Sequence, residues 1–205
     1  MHVPASKEPR QCGALCIPGP MPRPIRSLLV AVGLLMPLAQ ACAEDVANYG
    51  NDPFVQVSSR IADCPEPAGP RVSEAEWRRE AHHRIEQGNH CWTEGRCRLA
   101  NAFQYDKEIA ESLQRRLRTL ATTMPLWQDS TLWIIVRGRW LTVQGCVRPG
   151  FAKASFLRAL GEVADVEKVV DQTTASPERG VPYVRYAPGG AGAGGGAPAS
   201  SPAHR

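Results

Sequence analysis

Between His90 and Cys97 the chain reads HCWTEGRC, a histidine and two cysteines around a tryptophan, a glutamate and an arginine. Those residue types serve three chemistries. Imidazole and thiolate are ligands for zinc. A thiol beside an imidazole is a nucleophile with its base. Two thiols in an oxidising compartment close into a disulfide. His82 and His83 just upstream, and Cys64 and Cys146 further away, enlarge the set of candidates. The compartment in which the chain folds decides among the three.

The N-terminal region speaks to that. From Met21 the sequence runs MPRPIRSLLVAVGLLMPLAQACAED, with Arg23 and Arg26 ahead of the apolar run Leu28 to Leu38. Two overlapping small-x-small sites follow, Ala39-Gln40-Ala41 and Ala41-Cys42-Ala43. This layout predicts a secretory signal peptide over 21–43, with residues 1–20 unstructured and Met21 as the true start. The apolar run is shorter than the ~20 residues a spanning helix needs, and Pro37 interrupts it. Cys42 makes a lipoprotein the alternative, although the position three before it is Ala39 rather than a leucine. The expected localisation is therefore periplasmic.

Processing changes the charge and the cysteine count. The whole chain carries 24 basic and 20 acidic residues. Without Lys7, Arg10, Arg23, Arg26 and Glu8, the remainder has 20 basic and 19 acidic side chains. No general electrostatic case for a nucleic-acid partner survives. Cys12, Cys16 and Cys42 precede the cut, so Cys64, Cys91, Cys97 and Cys146 remain, an even number for which disulfides are the default. Four cysteines allow three pairings.

The x5 spacing in HCWTEGRC is longer than the usual zinc-knuckle spacing, and no second cysteine pair follows. Adjacent residues on an irregular segment seldom aim at one point, which argues against a Cys91 nucleophile with His90 as base. The motif reads as a staple, with no metal, no cofactor and no catalytic residue. No paired carboxylates, Ser-His-Asp set or phosphate loop stands out in the sequence pattern, and the Gly-rich tail is no phosphate cradle because it follows no strand and opens no helix.

The elements that must position these residues divide the chain in four. Residues 44–103 form an N-terminal extension, extended or irregular over 44–72 and then helical. Ser73 stands three residues before Glu76 as a capping box. Trp77, Ala81 and Ile85 share one helical face, Arg78, Arg79, Glu80 and Arg84 lie mostly on the wet side, and Gly88 supplies a stop. Residues 104–174 form the better-defined block. A helix capped by Asp106 carries Ile109, Leu113, Leu117 and Leu120. A hairpin, TLWIIVR and RWLTVQGCV around Gly138, follows it. A second helix then presents Ala152, Phe156, Leu160 and Val163, and VEKVVDQTT closes the block as a strand. Residues 175–205, Gly/Ala/Pro-rich from Ala187 on, are expected to form a flexible tail. The fold class is α+β: an α-β-β-α-β module with two helices on one face of a small three-stranded sheet, plus the disulfide-tethered extension and the disordered tail.

This order, with LTVQGCV (Leu141 to Val147) and the closing valines Val166 and Val169, resembles the BON domain, a small module of bacterial envelope proteins. The resemblance covers roughly Gln104 to Thr174. It implies a structural glycine at Gly145 and association with phospholipid or the envelope. Cys146 and the extension lie outside its usual pattern.

Leu141, Val143, Gly145 and Val147 alternate onto the face the helices should cover, leaving Trp140, Thr142, Gln144 and Cys146 on the other. Leu132 to Val136 are apolar on both faces, and such a strand is normally covered on both. The extension is expected to pack on the side away from the helices, tied to Cys146 through Cys91 or Cys97. Closing such a loop stabilises by roughly 3–4 kcal/mol. At the hairpin tip, Arg137 and Arg139 with Trp133 and Trp140 form a candidate lipid-binding set, against the bland alternative of a solvated turn over core tryptophans. The functional expectation is a non-enzymatic binding or scaffolding module meeting a phospholipid surface or an envelope protein. An assembly subunit of an envelope or secretion complex is the second reading, and a metal- or thiol-dependent enzyme the third. Oligomeric state is not legible.

Overall fold

The computed structural model describes residues 45–187. The expected leader, Cys42 and the tail from residue 188 lie outside the described residues.

In chain order the elements are β1 (Val46–Ala47), β2 (Phe54–Ser59), β3 (Val72–Ser73), α1 (Glu74–Gly88) and α2 (His90–Thr93). A short 3-10 turn leads into α3 (Asp106–Thr123), and a second, Pro125–Asp129, leads out of it. Then come β4 (Thr131–Arg137), β5 (Trp140–Cys146), α4 (Lys153–Gly161) and β6 (Lys168–Thr174). The main sheet has the order β2-β4-β5-β6, and β1 and β3 form a separate small ribbon. β2, β4 and β5 run antiparallel in turn, while β6 returns parallel to β5 after crossing over through α4.

The expected α-β-β-α-β order is thus α3, β4, β5, α4 and β6. Ile109, Leu113, Leu117 and Leu120 of α3 are buried, as are Phe156, Ala159 and Leu160 of α4. They meet Leu132, Ile134, Val136, Leu141 and Val143 in one core. Helix-period and strand-period stripes facing each other account for this layer. The sheet, however, has four strands rather than three. Within residues 44–72, expected to be extended or irregular, Phe54–Ser59 is extended and adds a strand to the free edge of β4, with a bulge between Gln56 and Ser58. An apolar strand like β4 gains from a second neighbour, which satisfies its outer backbone groups.

On the opposite sheet face Trp133 is buried with Cys64 and Cys146, and Phe54 and Ile61 pack against them. The extension covers this face, as its apolar pattern required. The C-terminal side joins it. Tyr183 is 8% exposed, Ala68 donates to the Val184 carbonyl at 2.8 Å, and Tyr186 donates to that of Glu66 at 2.8 Å. The expectation of a flexible tail from residue 175 is not met over 175–187, which contain a 3-10 turn and a bridge between Pro67 and Arg185. One large aromatic with a buried partner surface is enough to hold a stretch whose composition reads as loop.

Two local readings change. In α1 the capping box is present, with the Ser73 hydroxyl accepting from Glu76 N and the Glu76 carboxylate accepting from Ser73 N. Yet Ile85 is 68% exposed, whereas the Arg84 side chain is only 13% exposed. The helix turns a charged residue inward because its partners wait there. Asp106, in turn, begins α3 but does not cap it. Its carboxylate is taken by the β4–β5 turn.

Candidate functional site: the hairpin tip and the stapled extension

The tip is a two-residue turn in which both Gly138 (φ 58°) and Arg139 (φ 71°) are left-handed, the conformation that matches strand twist in a tight hairpin. Glycine adopts it without cost, whereas arginine does not. The strain is offset by Asp106, whose two carboxylate oxygens accept from the backbone N–H groups of Gly138 at 2.7 Å and Arg139 at 2.9 Å. Asp106 is 4% exposed, and burial is the main cause that pushes its carboxyl up to about 6. The two N–H groups and Arg84 oppose that rise, while Asp52 adds to it.

Asp52 and α1 complete the cluster. Arg84 forms a two-pronged pair with Asp52, with Nη1 to Oδ1 at 2.9 Å, and its Nε donates to Glu80 at 3.0 Å. Its guanidinium lies 4.5 Å from the Phe103 ring centre and 5.0 Å from that of Trp77. Arg137 reaches from the end of β4 to Glu80, and to Asp52 at 3.7 Å. Three carboxylates and two guanidiniums thus bolt the extension to the tip. Within the set the Asp52–Arg84 pair is the buried one, and losing either of those two leaves its partner's charge uncompensated, which typically costs 3–5 kcal/mol.

Arg139 points the other way. Its Nε donates to the Asp165 carbonyl at 2.9 Å, its Nη1 lies 2.8 Å from Cys97 Sγ, and Glu167 is 3.5 Å away. The guanidinium also sits 5.2 Å from the Tyr105 ring centre. The opening motif is therefore built into the tip. Cys91 and Cys97 are bonded to each other, with Cα atoms 5.3 Å apart. His90 turns to Glu94 at 2.9 Å, and His82 and His83 both turn to Glu86. The imidazoles do not converge on the sulfurs, and among the described residues no group of three or more metal-ligating side chains assembles.

HCWTEGRC is a staple, but a local one. Cys146 pairs with Cys64, not with Cys91 or Cys97, with Cα atoms 5.7 Å apart. Register explains the correction. Ser59, Thr131 and Cys146 stand side by side at one end of the sheet, and the chain leaves β2 there toward Cys64. Arg139 and the Cys91–Cys97 loop are at the other end, about 20 Å away along a seven-residue strand.

The lipid-binding set does not stay together. Trp133 is 7% exposed beside the Cys64–Cys146 disulfide, and the Arg139 side chain is 13% exposed within its own contacts. Arg137 is half-exposed but ion-paired. Only Trp140, 44% exposed, remains open, with the Lys168 ammonium 4.4 Å from its ring centre. Gly145 is required for a closer reason than a helix layer. At φ 131° a Cβ there would lie 2.1 Å from the Thr131 carbonyl oxygen of the adjacent strand. Asp52, Tyr105 and Tyr183 escaped the sequence reading, and Arg84, placed there on the wet side, is largely buried. Only Tyr183, an aromatic amid Pro and Gly, left a signal.

No family model, curated protein or solved structure matches the chain.

Proposed function

We propose that this chain is an exported, non-enzymatic envelope protein whose BON-like module binds a phospholipid surface, with the disulfide-tethered extension acting as its brace. The observation that carries the reading is the α3-β4-β5-α4-β6 order on a sheet whose β6 runs parallel to β5. Two disulfides support folding in an oxidising compartment such as the periplasm. With the tip arginines engaged, Trp140 and Lys168 are the aromatic and basic pair left for anionic headgroups. Lipid anchoring through Cys42 remains an alternative mode of attachment.

Co-sedimentation with vesicles of neutral lipid alone and with added anionic lipid tests this. Wild type is expected to bind the anionic vesicles at low salt. Lys168→Ala should weaken that binding about fivefold, since a basic side chain near such a surface contributes about 1 kcal/mol. Raised salt should mimic the substitution. Failure of wild type to bind at low salt ends the lipid reading. A second reading, assembly with further copies or envelope proteins, draws on β6 standing at the sheet edge. A gel-filtration mass above that of the monomer would favour it.

A further inference from the structure

The Cys91–Cys97 disulfide has the surroundings of a thiol-exchange site. It closes a short surface loop, since the two cysteines are only six positions apart. Residues 92–96 inside the loop are all exposed and Cys97 is partly buried against the edge of the core, whereas Cys91 is 4% exposed. An incoming thiolate therefore meets Cys97 Sγ first. That same sulfur is the one beside a fixed cation, Arg139 Nη1 at 2.8 Å. Arg139 is held from the far side by the Asp165 carbonyl and by its stack on Tyr105, so it stays in place whether or not the sulfur is bonded.

Other charges face the loop. Arg96 is paired with Glu94, which also takes His90. Arg98 is paired with Glu108 and, at 3.4 Å, with Asp165. Glu167 competes for Arg139 at 3.5 Å. Among the described residues, Arg139 is the charged side chain that touches the sulfur.

We propose that Cys91 and Cys97 form a redox-active pair that exchanges with a small dithiol, with Arg139 as the positioning residue that stabilises the Cys97 thiolate. A thiolate of the dithiol attacks Cys97 Sγ, forming a mixed disulfide and breaking the Sγ–Sγ bond. Cys91 leaves as a thiolate and takes a proton from water. The second thiolate of the dithiol then attacks its own sulfur in the mixed disulfide. That closes the reductant's ring and releases Cys97 as a thiolate against Arg139. Two electrons pass from the dithiol to the pair. A lower-energy leaving thiolate speeds this second step and favours the reduced form. This site stands independently of the lipid-surface reading.

The test is graded reduction of the full chain with dithiothreitol, acid quenching, alkylation and peptide mass spectrometry. Cys91 and Cys97 should become reactive at a dithiothreitol concentration at least about tenfold below that which opens Cys64–Cys146. In the chain reduced only at Cys91–Cys97, alkylation against pH should give a lower midpoint for Cys97 than for Cys91, by about one unit or more. Arg139→Gln should close that gap, and Arg139→Lys should keep part of it. A purely structural Arg139 would shift both thiols alike. Joint opening of the two disulfides, no wild-type gap, or a gap untouched by Arg139→Gln would each overturn the proposal. Should Arg139→Gln fail to fold, the wild-type comparison and Arg139→Lys still decide.

Discussion

The two ends of the main sheet hold the extension by different physics. At the end where Cys146 stands, the attachment is covalent and dry: Cys146 is fully buried and Cys64 is 8% exposed. Trp133 and Tyr183 cover the bond. At the hairpin end it is electrostatic and partly wet, built from Asp52, Glu80, Arg84, Asp106 and Arg137, with a surface disulfide alongside. The cysteine separations are 82 and six. In the chain-entropy model those loops differ in worth, about 4–5 against about 2 kcal/mol. The first end is therefore expected to set stability, and the second to respond to pH, salt and reductant.

Four measurements can break or sharpen this contrast. The largest effect belongs to the dry end. Replacing Cys64 and Cys146 together by alanine should remove about 4–5 kcal/mol, and a calorimetric scan should show the melting temperature falling by well over ten degrees. A small shift would mean that packing by Trp133 and Tyr183, not the cross-link, holds that face.

Next to it, Gly145→Val should cost roughly 3 kcal/mol or more, because side-chain overlap with the Thr131 carbonyl adds to backbone strain. Urea unfolding measures the loss, and an unchanged midpoint would show that β4 and β5 can separate locally.

At the tip, Asp106 makes the pH prediction. Its folded-state value, about 6, lies above the ordinary 3.8, so the native state binds this proton more tightly than the unfolded chain. Its stabilising contribution is full below about pH 4 and is lost as pH rises through about 6, by up to about 2–3 kcal/mol. Asp106→Asn removes that titration. The stability of wild type relative to the variant should therefore decline between pH 4 and 7, and a flat difference would place the charge elsewhere.

The smallest effect is expected from Cys91→Ser with Cys97→Ser, at most about 2 kcal/mol. Proteolysis within 92–96 should accelerate while the sheet's circular dichroism persists. Loss of the global fold would erase the distinction between the two ends.

Much of the architecture was legible before any coordinates. The stripes Ile109-Leu113-Leu117-Leu120 and Leu141-Val143 specify which faces meet, because periodicity is a local property of the chain. Apolar residues on both faces of β4 required a second cover, and the extension supplies it. Four cysteines beyond the expected leader implied disulfides, and two disulfides are present.

The tertiary structure alone decided the partners. Cys146 chose Cys64 because strand register places Ser59, Thr131 and Cys146 together, and pairing register is a long-range property that no spacing encodes. Arg84 looked solvated until Asp52 came from 32 positions away. Asp106 looked like a helix cap until the turn at Gly138 and Arg139 offered two better-placed donors. The tip arginines looked free for headgroups, and the fold engaged them in its own ion pairs. A charged side chain carries no period to show whether it will face water or a partner. Its burial follows from what the rest of the chain brings to it.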